Sequence, residues 1–317
     1  MKIPVFEDVS AAHERIKPYI NHTPVMKSES INEMFGCEIL FKCENFQKVG
    51  AFKYRGATNA INQLSEEDLA KGVATHSSGN HAQALSLAAK VKKVPAYIVM
   101  PENSPKVKID AVRGYGAEIT FCQPTLKARE ENLDRVIEMT GATFVHPYDN
   151  FNIISGQGTA AKELIEENGS FDYILSPVGG GGLLSGTSIS AKAMLPACKV
   201  IACEPKGADD AFRSYYGDQL VPSADPKTIA DGLLTSLSDL TYQIIKKNVD
   251  EIMTVDEENI IMAMKLIWER MKIIIEPSSA VVLAVLIENK NRFQGKRIGM
   301  IISGGNVDLD KLPWMQK

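Results

Sequence analysis

In the stretch GAFKYRG, residues 50 to 56, one lysine, Lys53, stands beside an aromatic residue and inside a pair of glycines. A lysine on a solvated face needs neither neighbour, so the solvated reading competes here with a chemical one. The second concentration of chemistry is SPVGGGGLLSG, residues 176 to 186, where Gly179, Gly180, Gly181 and Gly182 follow an apolar run and precede a helix-like one. Four residues without a Cβ let successive backbone N–H groups turn toward one anion, and the next helix adds its positive end. A tight strand-to-helix turn is the purely structural alternative. It is not a nucleotide P-loop, because Thr187 follows Gly186 where a lysine is needed, and no G-x-G-x-x-G register fits. A lone phosphate cradle together with a fenced lysine suits a phosphorylated aldehyde cofactor held as a Schiff base. The lysine reaches the aldehyde while the phosphate is gripped elsewhere.

Both features need elements to position them, and the chain supplies a regular rhythm. GVATHSSGN runs into HAQALSLAAKV, AYIVMPENSP into KVKIDAVRGYG, YILSPVGGGG into LLSGTSISAKAML, and RIGMIISGGN lies near the end. Short apolar runs ending in Gly, Ser or Pro and followed by helical stretches describe an α/β protein with mainly parallel strands. Ligands in such sheets sit beyond the carboxyl ends of the strands, where these Gly-, Ser- and Asn-rich loops fall. One unit is expected over residues 67–146, with the remainder, 1–66 and 147–317, forming a larger one from both chain ends.

The 317 residues, 44% of them hydrophobic, suffice for a large core. A formal charge of −4 and the absence of a dense Lys/Arg block argue against a nucleic-acid or membrane-surface role. The five cysteines, Cys37, Cys43, Cys122, Cys198 and Cys203, are odd in number and form no C-x-x-C pair, which suits reduced thiols. The stretch MKIPVFEDVSAAHERIKPYI lacks an apolar signal core, and no apolar run reaches the length of a membrane span. A cytoplasmic protein is the expectation.

The stretches KCENFQKVGAFKYRGA, HSSGNHAQA, GQGTAAKEL, PVGGGGLLSG, ADG, WERMKIIIEP and SGGNVDL occur in this order over nearly the whole chain. In them the sequence resembles the fold type II pyridoxal-phosphate enzymes, the tryptophan synthase β-like fold, and within these the serine racemase and threonine dehydratase family. The resemblance implies a large domain with a mainly parallel twisted sheet and a smaller α/β domain carrying the substrate loop. It casts Lys53 as the Schiff-base lysine with Phe52 against the cofactor, and Asn80 as the partner of the cofactor's 3′-oxygen. Gly179, Gly180, Gly181, Gly182 and Leu183 become phosphate donors, and Ser303 faces the pyridine nitrogen. A neutral hydroxyl there cannot hold that nitrogen protonated, which leaves the ring a weaker electron sink than a carboxylate partner would. Ser77, Ser78, Gly79, Asn80 and His81 match the segment that grips the substrate carboxylate at a helix N-terminus. Arg129 matches a second carboxylate partner. Read without the resemblance, Asn80 and Ser303 are loop or cap residues, and Arg129 is a helix charge.

Within the family, dehydratases usually read S-A-G-N-H where this chain has Ser77-Ser78-Gly79-Asn80-His81, and Ser78 matches the hydroxyl that racemases present opposite the lysine. Glu276-Pro277 likewise resembles the racemase form. Glu204, the carbonyl of Ala208 and Asp210, in CEPKGADD, match a divalent-cation site, and such oxygen ligands suit Mg²⁺, Ca²⁺ or Mn²⁺. Unaided, they read as surface acids. Lys48, Tyr115, Arg270, Lys272 and Asn306 match positions around an ATP effector site between subunits, although Val49 stands where that pattern has Thr. The implied activity is racemisation of serine with accompanying β-elimination to pyruvate and ammonia, in a homodimer. The alternatives are a dehydratase of L-threonine, L-serine or 3-hydroxyaspartate, and an aspartate racemase.

Overall fold

A computed structural model describes residues 2–104 and 106–315. Ten strands form two sheets: β1 Val25–Met26, β2 Glu38–Cys43, β3 Val73–His76, β4 Ala96–Pro101, β5 Glu118–Cys122, β6 Thr143–Phe144, β7 Tyr173–Pro177, β8 Lys199–Pro205, β9 Glu251–Val255 and β10 Arg297–Ile302. The larger sheet has the order β1-β2-β10-β7-β8-β9 and the smaller β5-β4-β3-β6. Among the named strands of the described residues, only the β1–β2 edge is antiparallel and every other pairing is parallel. An α/β protein with mainly parallel strands, as the strand–loop–helix rhythm predicts, is what forms. β2 and β10 come from opposite ends of the chain and pair along their whole length, from Glu38↔Arg297 to Cys43↔Ile302.

Parallel strands are covered on both faces, so they read as continuous apolar runs. β10, RIGMII, is buried from Ile298 onward, and the helix Pro277–Glu288 behind it, PSSAVVLAVLIE, is buried over its first ten residues. Its sequence has almost no polar face because it has no solvent face. The helix Lys53–Ile61 is fixed differently. Gly56 lies so close to Gly156 of the helix Phe151–Asn168 that a Cβ on Gly156 would stand 2.6 Å from the Gly56 Cα. This close approach accounts for Gly56 of RGA and for Gly156, the first glycine of GQG; a Cβ on the second, Gly158, would instead stand 2.8 Å from the Gly186 carbonyl.

Two residues after Lys53, the guanidinium of Arg55 is fully buried between two carboxylates. It donates to Glu44 at 2.7 and 2.9 Å and to Glu163 at 2.6 and 2.7 Å, and Lys42 adds a 2.7 Å bridge to Glu163. Four buried charges that satisfy one another tie β2, the Lys53 helix and the Phe151–Asn168 helix together.

Candidate active site

The chemistry-bearing residues gather where parallel strands end. β10 runs into Ser303 and Gly304, β7 into the glycine turn, β3 into Ser77–Gly79, and β2 through two short turns into Lys53. The main-chain N–H of Phe52 donates to the Ser303 carbonyl at 2.9 Å, and Ala51 and Gly304 form an isolated bridge. These bonds dock the start of the Lys53 helix onto the end of β10.

Lys53 Nζ donates to the Pro147 carbonyl at 2.9 Å and lies 5.2 Å from the centre of the Phe52 ring. Burial draws the amine down to about 8, against the pull of the Glu276 carboxylate in the other direction. An amine so placed has its lone pair within reach near neutral pH, which attack on a carbonyl requires.

The glycine turn is buried throughout. Among the described residues, no acceptor takes the N–H of Gly179, Gly180, Gly181 or Gly182. Buried N–H groups without partners are rare, and four in succession at the start of the helix Gly182–Met194 form a site for an anion. Gly181 has φ +84°, and a Cβ on Gly180 would stand 2.3 Å from the ring of Tyr148. Packing as well as donor geometry therefore demands glycine here. A desolvated amine and a nest of free donors fit a phosphorylated aldehyde.

Ser303 is buried and its Oγ lies 2.9 Å from Ser279 Oγ, which in turn accepts from the Gly304 N–H at 2.8 Å. A neutral pair of hydroxyls stands at this end of β10. Asn80, the first residue of the helix Asn80–Lys92, donates through Nδ2 to Glu276 Oε1 and Oε2 at 2.9 and 3.1 Å and accepts through Oδ1 from Asn306 Nδ2 at 2.9 Å. Ser77, Ser78 and Gly79 are half-buried in the preceding loop, where the Ser77 Oγ accepts from the Gly79 N–H at 3.3 Å. His81 is turned inward: one ring nitrogen meets the Val145 carbonyl at 3.0 Å, and burial first, then Lys53, holds the imidazole down near about 3. What His81 can offer a carboxylate is its main-chain N–H. Arg129 is half-buried with an unpartnered Nε, and burial first, then the Arg129 charge, lowers the basicity of His76.

Near the end of β8, Glu204 accepts the N–H groups of Ala211 and Phe212, each at 2.8 Å, at the start of the short helix Asp210–Tyr216. Asp210 is buried with an unpartnered Oδ2, and Ala208 is buried beside it. Burial pushes Glu204 up to about 9 and Asp210 to about 6. Two desolvated acids with unused oxygen lone pairs fit a hard cation.

The five residues matched to an effector site are joined by no hydrogen bond to one another. Lys48 Nζ donates to the Tyr19 carbonyl, Tyr115 is half-buried after the helix Lys106–Gly114, and Arg270 and Lys272 are exposed at the end of the helix Glu257–Met271. Asn306 belongs instead to the inner network, donating to Asn80 and, at 2.7 Å, to the Val49 carbonyl. It also borders a cavity of about 450 Å³ lined by Gln83, Lys108, Asp231, Pro277 and Val307.

Two residues enter the site that the sequence reading left out of it. Tyr148 packs on the glycine turn, and its hydroxyl is pushed up to about 12 by burial and then Asp149. Glu276 holds Asn80. For Tyr148 the signal is its position in HPYDN after a strand; Glu276 is marked only by the Glu276-Pro277 resemblance and by its place before a proline that opens a helix.

The family model described as "Pyridoxal-phosphate dependent enzyme" matches residues 16–304. The chain is 54% identical over 310 residues to the serine racemase of Dictyostelium discoideum, covering 96% of each protein. It is 52% identical over 314 residues to the beta-hydroxyaspartate dehydratase of Paracoccus denitrificans, covering 99% of this chain and all of the relative. The solved structure of maize serine racemase superposes with a TM-score of 0.96 at 44% identity, over 99% of this chain and 97% of that one.

Proposed function

The chain belongs to the pyridoxal-phosphate dependent enzymes, and from that membership we propose that it interconverts L- and D-serine and also eliminates water from serine, releasing pyruvate and ammonia. The observation that carries the reading is the pairing of a desolvated Lys53 amine with the unsatisfied N–H groups of the Gly179–Gly182 turn. Pyridoxal phosphate, when bound, supplies an aldehyde for the amine and a ring that draws electron density from Cα of an amino acid.

The residues divide the remaining work. Gly179 to Leu183 would hold the phosphate, Phe52 and Asn80 would orient the ring, and the Ser303 hydroxyl, being neutral, would not hold the pyridine nitrogen protonated. Ser77, Gly79 and the first-turn N–H groups of Asn80 and His81 take the substrate carboxylate, where the helix end favours an anion. Lys53 takes the Cα proton on one face. Ser78 delivers a proton to the other face and so inverts the centre; without that delivery, loss of the β-hydroxyl leads to pyruvate.

Glu204, Asp210 and the Ala208 carbonyl hold a divalent cation, Mg²⁺ by preference for hard oxygen ligands. A nucleotide effector would bind between two subunits of a homodimer, with Lys48, Tyr115, Arg270, Lys272 and Asn306 as its partners. The site residues are divided between a substrate-loop domain, 67–146, and a cofactor domain built from 1–66 and 147–317.

A second reading, dehydration of 3-hydroxyaspartate, is favoured by one observation: Arg129 carries a buried Nε without a partner, a spare cation for a second carboxylate. Incubating purified protein with L-serine, L-threonine, L-aspartate and both 3-hydroxyaspartate diastereomers, with chiral and keto-acid analysis, decides between them. D-serine and pyruvate from L-serine are expected. Oxaloacetate from 3-hydroxyaspartate with no D-amino acid from any substrate would replace racemisation by the second reading.

A further inference from the structure

We propose that Glu276 is a positioning residue for the cofactor, acting through Asn80, whose amide it locks in the one orientation that presents an N–H to the cofactor's 3′-oxygen. The inference rests on the reading that Asn80 meets pyridoxal phosphate.

Glu276 is the N-cap residue of the helix Pro277–Glu288, where an acidic side chain ordinarily accepts the first free N–H groups of its own helix. Here it makes no such bond. The carboxylate turns away and crosses to the other side of the cleft, where both oxygens receive Asn80 Nδ2 at 2.9 and 3.1 Å and Oε2 also receives the Asn306 N–H at 3.1 Å. A carboxyl group 3% exposed forgoes its local partners for one that lies 196 residues away in sequence.

The consequence for Asn80 is a fixed amide. Asn306 Nδ2 has two hydrogens, one on the Val49 carbonyl and one on Asn80 Oδ1. Asn80 Oδ1 must therefore face Asn306, and Nδ2 must face Glu276. Turning the amide over would set an oxygen against a carboxylate and an NH₂ against an NH₂. One Nδ2 hydrogen is shared between the two oxygens of Glu276, which leaves the second without an acceptor and available to a ligand. Gly304 packs tightly on the carboxyl, since a Cβ there would lie 3.0 Å from Oε1.

A glutamine at this position keeps the shape but replaces one of the two acceptors by a donor. It then opposes either Asn80 Nδ2 or the Asn306 N–H, so Asn80 loses its lock. The test is a double-mutant cycle on purified holoenzyme, with the dissociation constant for pyridoxal 5′-phosphate read by equilibrium dialysis and the visible band by absorbance. Glu276→Gln is expected to raise the dissociation constant about tenfold, the scale of a lost hydrogen bond to a charged group, and to move the band. In the Asn80→Ala background the same change should matter by less than about twofold, because the residue through which it acts is gone.

Circular dichroism checks that each variant is folded. Glu276→Asp, which withdraws the carboxylate by one methylene, gives a second arm should glutamine fail to fold, with a smaller rise that also vanishes on Asn80→Ala. If Glu276→Gln keeps the wild-type constant and band, or costs the same factor with and without Asn80, Glu276 is only a bridge across the cleft and the proposal falls. A wild-type protein that takes up no pyridoxal phosphate would overturn the cofactor reading itself, and this inference with it.

Discussion

The amine of Lys53 donates to the main-chain carbonyl of Pro147 at 2.9 Å, and the next residue, Tyr148, covers the glycine turn. The nucleophile and the anion cradle are thus held to one another through a single short segment, His146–Asn150. His146 stiffens that segment: its Nδ1 accepts the N–H of Asp149 at 2.8 Å, and Asp149 in turn accepts the Ser238 hydroxyl at 2.9 Å.

Replacing Lys53 by Ala removes the one amine in this arrangement. The purified variant should lack the visible band that a lysine-bound aldehyde gives, and racemisation and elimination should both fall to background. The measurement is absorbance before and after borohydride treatment of the wild type, together with D-serine and pyruvate assays of both proteins. A colourless wild type with full activity would sink the assignment of Lys53.

Gly180→Ala tests the segment that joins the two. A Cβ there meets three ring atoms of Tyr148 within 2.5 Å, so the ring or the turn has to shift. Overpacking of this kind costs about 1–3 kcal/mol. The expected outcome is a lowered melting temperature and weaker retention of pyridoxal phosphate, with most of the stability loss absent when Tyr148→Ala is made first. Equal losses in both backgrounds would show that Tyr148 is not what excludes the side chain.

Much of this site was legible in the sequence because its chemistry is local. A fenced lysine, four glycines in a row and a strand ending in SGGN each announce themselves within a dozen residues, and AYIVMP, YILSP and RIGMII form β4, β7 and β10 in the expected places. The strand order was not legible, because β2 and β10 meet from opposite ends of the chain and no local pattern encodes that pairing. The same physics hid Glu276. Its identity as an acid before a proline signals a helix start, and only the folded chain brings Asn80 across to take its side chain away from that task. Arg55 reads as an ordinary helix charge until Glu44 and Glu163 close on it.

Removal of divalent cations should expose the pair Glu204 and Asp210 through pH. With no cation, burial makes the folded chain keep their protons at pH values where the unfolded chain has released them. Their contribution to stability is then fully present below the ordinary carboxylate range and is lost as pH rises through about 6 for Asp210 and about 9 for Glu204. A bound cation favours the ionised acids and reverses that loss. Chelated protein should therefore melt at progressively lower temperature as pH rises through this window. Mg²⁺ at a hundredfold excess over its dissociation constant should restore about 2.7 kcal/mol, with the rescue largest at high pH. The check is thermal melting across pH with and without chelator, and indifference to confirmed metal removal returns Glu204 to the role of a helix cap.

On the proposed mechanism, Ser78 separates the two outcomes of one proton abstraction. Lys53 can still remove the Cα proton of L-serine when Ser78 becomes Ala, and loss of hydroxide from Cβ asks for no group on the opposite face. Inversion does ask for one, because only a proton delivered to that face gives D-serine. Loss of a positioned acid/base group typically costs about 10²- to 10⁴-fold in rate. Ser78→Ala should accordingly make almost no D-serine from L-serine while pyruvate release continues, and elimination from D-serine should fall by a similar factor, since there Ser78 serves as the base. Separate initial rates for D-serine and pyruvate formation from each enantiomer read the effect directly. Racemisation at the wild-type rate would reduce Ser78 to a loop hydroxyl, and the search for the second proton carrier would move to the other groups facing Lys53.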